Sequence, residues 1–134
     1  MSDRRLVVVD SSVGVKWIQP ESGREQAREL LMSHRSGEVR IVVPALFIHE
    51  VTGVAVRHGG AALGARVWDG LKRADLTVVA LDDTLASSAF EQCTNLGCSF
   101  YDALAPAVAE LLGATLYSAD VRAHDRFPGS VILG

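Results

Sequence analysis

Ser99-Phe100-Tyr101-Asp102-Ala103-Leu104-Ala105-Pro106-Ala107-Val108-Ala109-Glu110-Leu111-Leu112-Gly113-Ala114-Thr115-Leu116-Tyr117-Ser118-Ala119-Asp120 contains one complete helix-to-strand unit. Ser99 followed three residues later by Asp102 has the form of a capping box, with Asp in place of the usual Glu. The helix it opens runs to Leu112 and closes at Gly113, whose lack of a Cβ suits the left-handed end of a helix. Thr115 to Ala119 then reads as a strand that ends at Asp120.

The same alternation extends in both directions. Upstream, Arg5 to Val9 is a β-branched run ending at Asp10, and Ser11 and Ser12 offer capping hydroxyls for a short helix through Trp17. Glu21 to Ser36 carries Ala27, Leu30, Leu31 and His34 at helical spacing, with Gly37 as its stop. Val39 to Val43 predicts a strand, and Pro44 suits the first turn of a helix to about His58. Gly59-Gly60 breaks the chain before a helix over 61–74. Leu76 to Leu81 predicts a third strand, and Asp82 and Asp83 cap a helix toward Asn95 and Gly97. Downstream, a polar segment to Gly129 leads to a short last strand, Ser130 to Leu133. Strands alternating with helices imply right-handed crossovers, a mainly parallel sheet and helices on both faces, a three-layer α/β/α architecture.

The 134 residues suit one domain over 1–134, and 49% hydrophobic residues suffice for a single core. No apolar run is long enough to span a bilayer, and Leu6 to Val9 is too short for a signal-peptide core. Cys93 and Cys98 are too few for a disulfide framework, and no His lies at zinc-ligand spacing from them. These features place the chain in the cytoplasm, with reduced thiols and no membrane.

Four carboxylates stand out. Asp10 and Asp120 end strands, and ligands of open parallel sheets bind beyond the carboxyl ends of strands. Glu50 lies beside a stripe formed by Leu46, Phe47, Val51 and Val54. Asp102 sits in the first turn of its helix. Each singly also fits a cap, a turn or a solvated helix edge. Brought to one edge of the sheet, the four would repel unless protons or cations were present. Hard oxygen ligands without His or Cys select Mg²⁺, with Mn²⁺ as a substitute, and such ions activate water for attack on a phosphodiester. The net charge of −3 opposes a nucleic-acid partner, but removing those four charges leaves +1. Lys16, Arg57, Arg66, Lys72, Arg73, Arg122 and Arg126 are then available to meet phosphates.

Other chemistries find less support. No Walker loop is present, and Gly59, Gly60 and Gly64 lack the dinucleotide pattern. Ser12 stands where haloacid-dehalogenase-like phosphatases place a second Asp, and no Lys follows Asp120 as a receiver domain requires. His49 points to another helix face than Glu50, and Trp17 and Trp68 read as core or dimer-interface residues.

Val-Val-Val-Asp-Ser-Ser (7–12), Val-Pro-Ala-Leu-Phe-Ile-His-Glu-Val (43–51) and the block from Phe100 to Asp120 together resemble the PIN-domain family. In size and block order they look most like the VapC toxins of bacterial type II toxin–antitoxin pairs. The resemblance covers essentially the whole chain, and the last block is its most specific part. It implies a metal-dependent endoribonuclease with Asp10, Glu50, Asp102 and Asp120 holding Mg²⁺. It implies an RNA substrate, a homodimer and a cognate antitoxin lying across the active-site groove. Ser11 and Ser118 fall where the family has small hydroxyl residues beside the site, and Asp125 is carried as a further acidic contributor at the rim. The alternative reading is a non-catalytic binding module on the same fold, holding a protein or RNA partner; a phosphatase acting on small substrates is a third.

Pro106 departs from the family pattern, in which that position donates its backbone N–H. It removes the helical hydrogen bond to the Asp102 carbonyl and predicts a kink, unless the helix starts late enough to place Pro106 in its first turn.

Overall fold

A computed structural model describes residues 4–134; of the expected 1–134 domain, residues 1–3 lie outside the described part. Five strands form one sheet: β1 (Arg5–Val9), β2 (Val39–Pro44), β3 (Thr77–Val79), β4 (Thr115–Ser118) and β5 (Val131–Ile132). Their order is β3-β2-β1-β4-β5, and all four pairings are parallel. Among the described residues six α-helices accompany them: α1 (Ser11–Gly14), α2 (Arg24–Ser36), α3 (Ala45–Arg73), α4 (Asp83–Leu96), α5 (Phe100–Leu112) and α6 (Val121–His124).

The three layers follow from the period-2 alternation of the central strands. In β1, Val7 and Val9 face one side and Val8 the other; in β2, Val39, Ile41 and Val43 are set against Val42. The first side packs on Val13 of α1, Ala27 and Leu30 of α2, and Phe47, Val51 and Leu71 of α3. The second packs on Leu85 and Ala89 of α4 and on Ala103, Ala107 and Val108 of α5. Burial on both faces explains why β1 ends in the unbroken apolar run Val7–Val9. Each such valine contributes roughly 1.5–3 kcal/mol.

Several local expectations are corrected. The helix expected through Trp17 is a single α-turn followed by a 3₁₀ turn at Val15–Trp17. Its cap is Asp10, whose Oδ2 accepts from Ser12 N–H at 3.0 Å, and not the serine hydroxyls. The expected helix from Glu21 starts at Arg24, after left-handed Gly23. The break at Gly59-Gly60 is confined to Gly60 (φ 75°, ψ −176°), with helical geometry on either side. Residues 121–129, read as an irregular polar segment, contain α6, which Asp120 caps through Oδ1 and Ala123 N–H at 3.1 Å.

Lys16 is also corrected. It is 5% exposed, its Nζ donates to Ser22 O at 2.5 Å and lies 3.5 Å from Glu21, so it is not free to meet a phosphate. Trp17 is half-buried, its ring edge-on to Phe47 at 5.7 Å, whereas Trp68 is 47% exposed. Both cysteines are free thiols. No helix among the described residues is long and apolar enough to cross a membrane.

Candidate active site

The strand order reverses between β1 and β4: successive connections move outward through β2 and β3, then return to the other side of β1. A crevice opens at such a switch point, beyond the carboxyl ends of the two strands. Asp10 and Asp120 stand there, just past the ends of β1 and β4. The Asp10 N–H donates to Tyr117 O at 3.0 Å, holding the two strand ends together.

α5 and α3 supply the other two carboxylates. Ser99 Oγ caps α5 by accepting from Asp102 N–H at 3.1 Å. The reciprocal bond, in which the Asp102 carboxylate would accept from the Ser99 N–H to complete a capping box, is not formed, so among the described residues that carboxylate is uncommitted. Asp102 and Asp120 line one cleft of about 330 Å³ with Gly97, Cys98, Ser99, Arg122 and Ala123. Glu50, on the second turn of α3, receives a hydrogen bond from Ser11 Oγ at 2.8 Å.

Electrostatics link the two halves. Burial pushes the Glu50 carboxyl above the usual range, the Ser11 hydroxyl opposes this, and the charges of Asp10 and Asp102 raise it further. Cys98 is raised chiefly by burial, then by Cys93, Asp102 and Asp120. Among the described residues none of the four carboxylates forms a salt bridge. Asp10 commits Oδ2 to Ser12 and Asp120 commits Oδ1 to Ala123, leaving one oxygen of each free.

Oxygen donors of this kind, without salt-bridge partners among the described residues, are of the type a hard divalent cation takes. No three His, Cys, Asp or Glu side chains among the described residues stand close enough to hold a metal ion as they are. Without a counter-ion such carboxylates repel, and an open spacing accords with that.

The hydroxyls form a second tier. Ser12 Oγ donates to Asp10 Oδ2 at 2.6 Å and accepts from Ala119 N–H at 2.9 Å. Ser118 Oγ, fully buried, accepts from Asp120 N–H at 3.0 Å. Asp125 is exposed just past α6 and does not line the cleft. His49 is exposed and bonds back to Ala45 O at 2.9 Å. A larger apolar hollow of about 690 Å³ lies elsewhere, between α3 and β3, lined by Ile48, Trp68, Leu71 and Val78 among others. It holds no carboxylate of the quartet.

The family model of the PIN domain matches residues 7–129. The chain belongs to the PIN domain family. This PIN domain is similar in fold to VapC20 of Mycobacterium tuberculosis, described as a toxin cleaving the sarcin–ricin loop (18% identity, 92% of this chain and 97% of that chain, TM-score 0.70). It is likewise similar to DNA-bound VapBC of Salmonella typhimurium (19% identity, 96% of each chain, TM-score 0.72). FitAcB of Neisseria gonorrhoeae matches at 14% identity over 94% of this chain and 96% of that one, TM-score 0.70. No curated protein matches the chain.

One residue of this PIN domain escaped the sequence reading: His124, fully buried, with its ring between Ser118 and the Asp102 carbonyl. The available signal was Pro106, since a carbonyl that loses its helical donor inside a core must find another.

Proposed function

We propose that this chain is a VapC-type endoribonuclease, the toxin of a type II toxin–antitoxin pair, acting in the cytoplasm on RNA with Mg²⁺ or Mn²⁺. The observation that carries this is that Asp10 and Asp120 stand past the ends of β1 and β4, Asp102 shares a cleft with Asp120, and the charges of Asp10 and Asp102 act on Glu50, with no salt bridge to any of the four among the described residues. Membership of the PIN domain family and the fold shared with the toxin VapC20 and with VapBC support the same reading. A cognate antitoxin and a homodimer belong to this proposal.

A divalent cation supplies Lewis acidity, neutralising the carboxylates and making water a stronger nucleophile at neutral pH. The chain's own residues do the positioning. Asp102 and Asp120 stand on the cleft walls as hard donors, Ser11 fixes the Glu50 carboxylate by a hydrogen bond, and Arg122 is the cleft's cationic side chain for a phosphate. Ser118 and Ser12 hold the main chain at the end of β4.

The test is cleavage of total cellular RNA by purified, antitoxin-free protein with Mg²⁺, with Mn²⁺ and with EDTA. Metal-dependent fragments that disappear in Asp10→Asn and in Asp102→Asn are expected. Asn keeps a side-chain oxygen able to cap α1, so Asp10→Asn should remain folded, with circular dichroism as the control. Cleavage retained in either variant would count decisively against the assignment, and folded wild-type protein that cuts nothing would favour a binding module.

A further inference from the structure

Proline at 106 has no N–H, so the carbonyl of Asp102, four residues earlier, lacks its intrahelical donor. Helix α5 nevertheless starts at Phe100, which puts Pro106 in its interior, and it runs unbroken to Leu112 with Pro106 buried. The late start that would have placed Pro106 in the first turn does not occur, and neither does a break at this point. The replacement donor comes from another element. His124 Nε2 lies 2.6 Å from Asp102 O, and Nδ1 lies 2.6 Å from Ser118 Oγ.

A main-chain carbonyl can only accept, so Nε2 carries the proton and Nδ1 accepts the Ser118 O–H. The same hydroxyl oxygen accepts from Asp120 N–H. The backbone at His124 is held in turn. Its N–H donates to Asp120 O at 3.0 Å, and its carbonyl accepts from Ser130 Oγ at 3.1 Å. His124 and Ser118 are both 0% exposed, so water does not compete for these bonds. One imidazole thus joins the main chain at Asp102 to the main chain at Asp120, the two acidic residues that line the cleft.

We propose that His124 is a positioning residue: its Nε2–H stands in for the N–H that Pro106 lacks and sets the Asp102 carboxylate relative to Asp120. The proposal rests on the reading of the cleft as a metal-dependent nuclease site. Residues supporting metal ligands from behind commonly change affinity by about 10–100-fold when lost, and a contact to a ligand's backbone belongs at the low end.

A cycle between His124 and Pro106 tests it. Mn²⁺ affinity is measured by the electron paramagnetic resonance of free Mn²⁺, and the melting midpoint of the metal-free protein is read beside it. Variants are His124→Ala, Pro106→Ala and the pair together. His124→Ala should weaken Mn²⁺ binding about tenfold. Pro106→Ala restores a backbone donor to Asp102 O, so the double variant should regain most of that affinity, and His124→Ala should cost less in melting midpoint there than beside Pro106. His124→Gln, which can place an amide N–H near the Nε2 position, should bind Mn²⁺ close to wild type, whereas His124→Asn should not. The Gln and Asn pair decides the matter if His124→Ala does not fold. Nitrogen-15 spectra should show His124 as the Nε2–H tautomer.

Losses of equal size in both Pro106 backgrounds, or an Nδ1–H tautomer, would overturn the proposal by reducing His124 to packing. Absence of Mn²⁺ binding in wild type would sink the nuclease reading instead, while the melting cycle and the tautomer would still decide the role of His124.

Discussion

Glu50 is the residue whose raised carboxyl can be read by titration. Its folded-state pKa lies above the ordinary 4.5, first because of burial and then because Asp10 and Asp102 are near. For a carboxyl raised on folding, the protonated form is the one favoured in the native state. The stability it contributes is present below pH 4.5 and is lost as the pH rises through its raised value. In metal-free protein Glu50→Gln should therefore be more stable than wild type at neutral pH, with the difference vanishing below about pH 4. Because the residue as a whole keeps much of its surface in solvent while its carboxyl is only partly withdrawn, screening keeps the gain small, about 1–3 °C in melting midpoint. Melting curves of both proteins from pH 3.5 to 8 check this. A difference between Glu50→Gln and wild type that stays the same from pH 3.5 to pH 8 would contradict a raised Glu50 carboxyl.

At the scale of elements, helix α3 turns on one backbone position. Gly60 adopts φ 75° and ψ −176°, where a Cβ is strained, and open space surrounds the place a Cβ would occupy. Gly60→Ala should then destabilise through the backbone alone, by about 1–3 kcal/mol in urea unfolding. Gly70, in the helical second half with equally open surroundings, should behave oppositely, Gly70→Ala gaining about 0.5–1 kcal/mol. These paired signs bear on what the sequence could disclose. The Gly59-Gly60 break, the Gly37, Gly97 and Gly113 stops and the apolar runs of β1 and β2 were legible because each is a local backbone or burial requirement. Helix α6 was not, because four residues carry too little periodicity to register, and its cap is an Asp that also reads as a turn residue. Of the acidic quartet the residue types were legible, while their shared edge follows from the sheet order, a tertiary property. The His124 contact to Asp102 spans 22 residues and two elements, and no local pattern encodes it.

Over the whole molecule, the charge of −3 and the acidic quartet make RNA capture an electrostatic question. A nuclease that bound its substrate by a broad basic face would lose affinity steeply with salt, about one unit of logarithmic slope per phosphate contacted. Here the cleft that holds Asp102 and Asp120 carries, among the described residues, a single cationic side chain, Arg122, exposed at the first turn of α6. Lys16 is withdrawn into an internal ion pair, and Arg126 is engaged with the carbonyl of Leu96. Few phosphate contacts are therefore available at the site, so under the proposed function RNA binding should depend only weakly on bulk charge. Arg122→Ala should leave the fold intact, since the side chain makes no hydrogen bond or salt bridge among the described residues. It should weaken RNA binding and lower the salt slope by about 1. Equilibrium binding of RNA to the inactive Asp102→Asn protein, measured from 50 to 200 mM salt with and without the Arg122 substitution, makes the comparison without cleavage. A wild-type slope as steep as that of a strongly basic protein, unchanged by losing Arg122, would place the RNA on another face of the molecule and detach it from the acidic cleft.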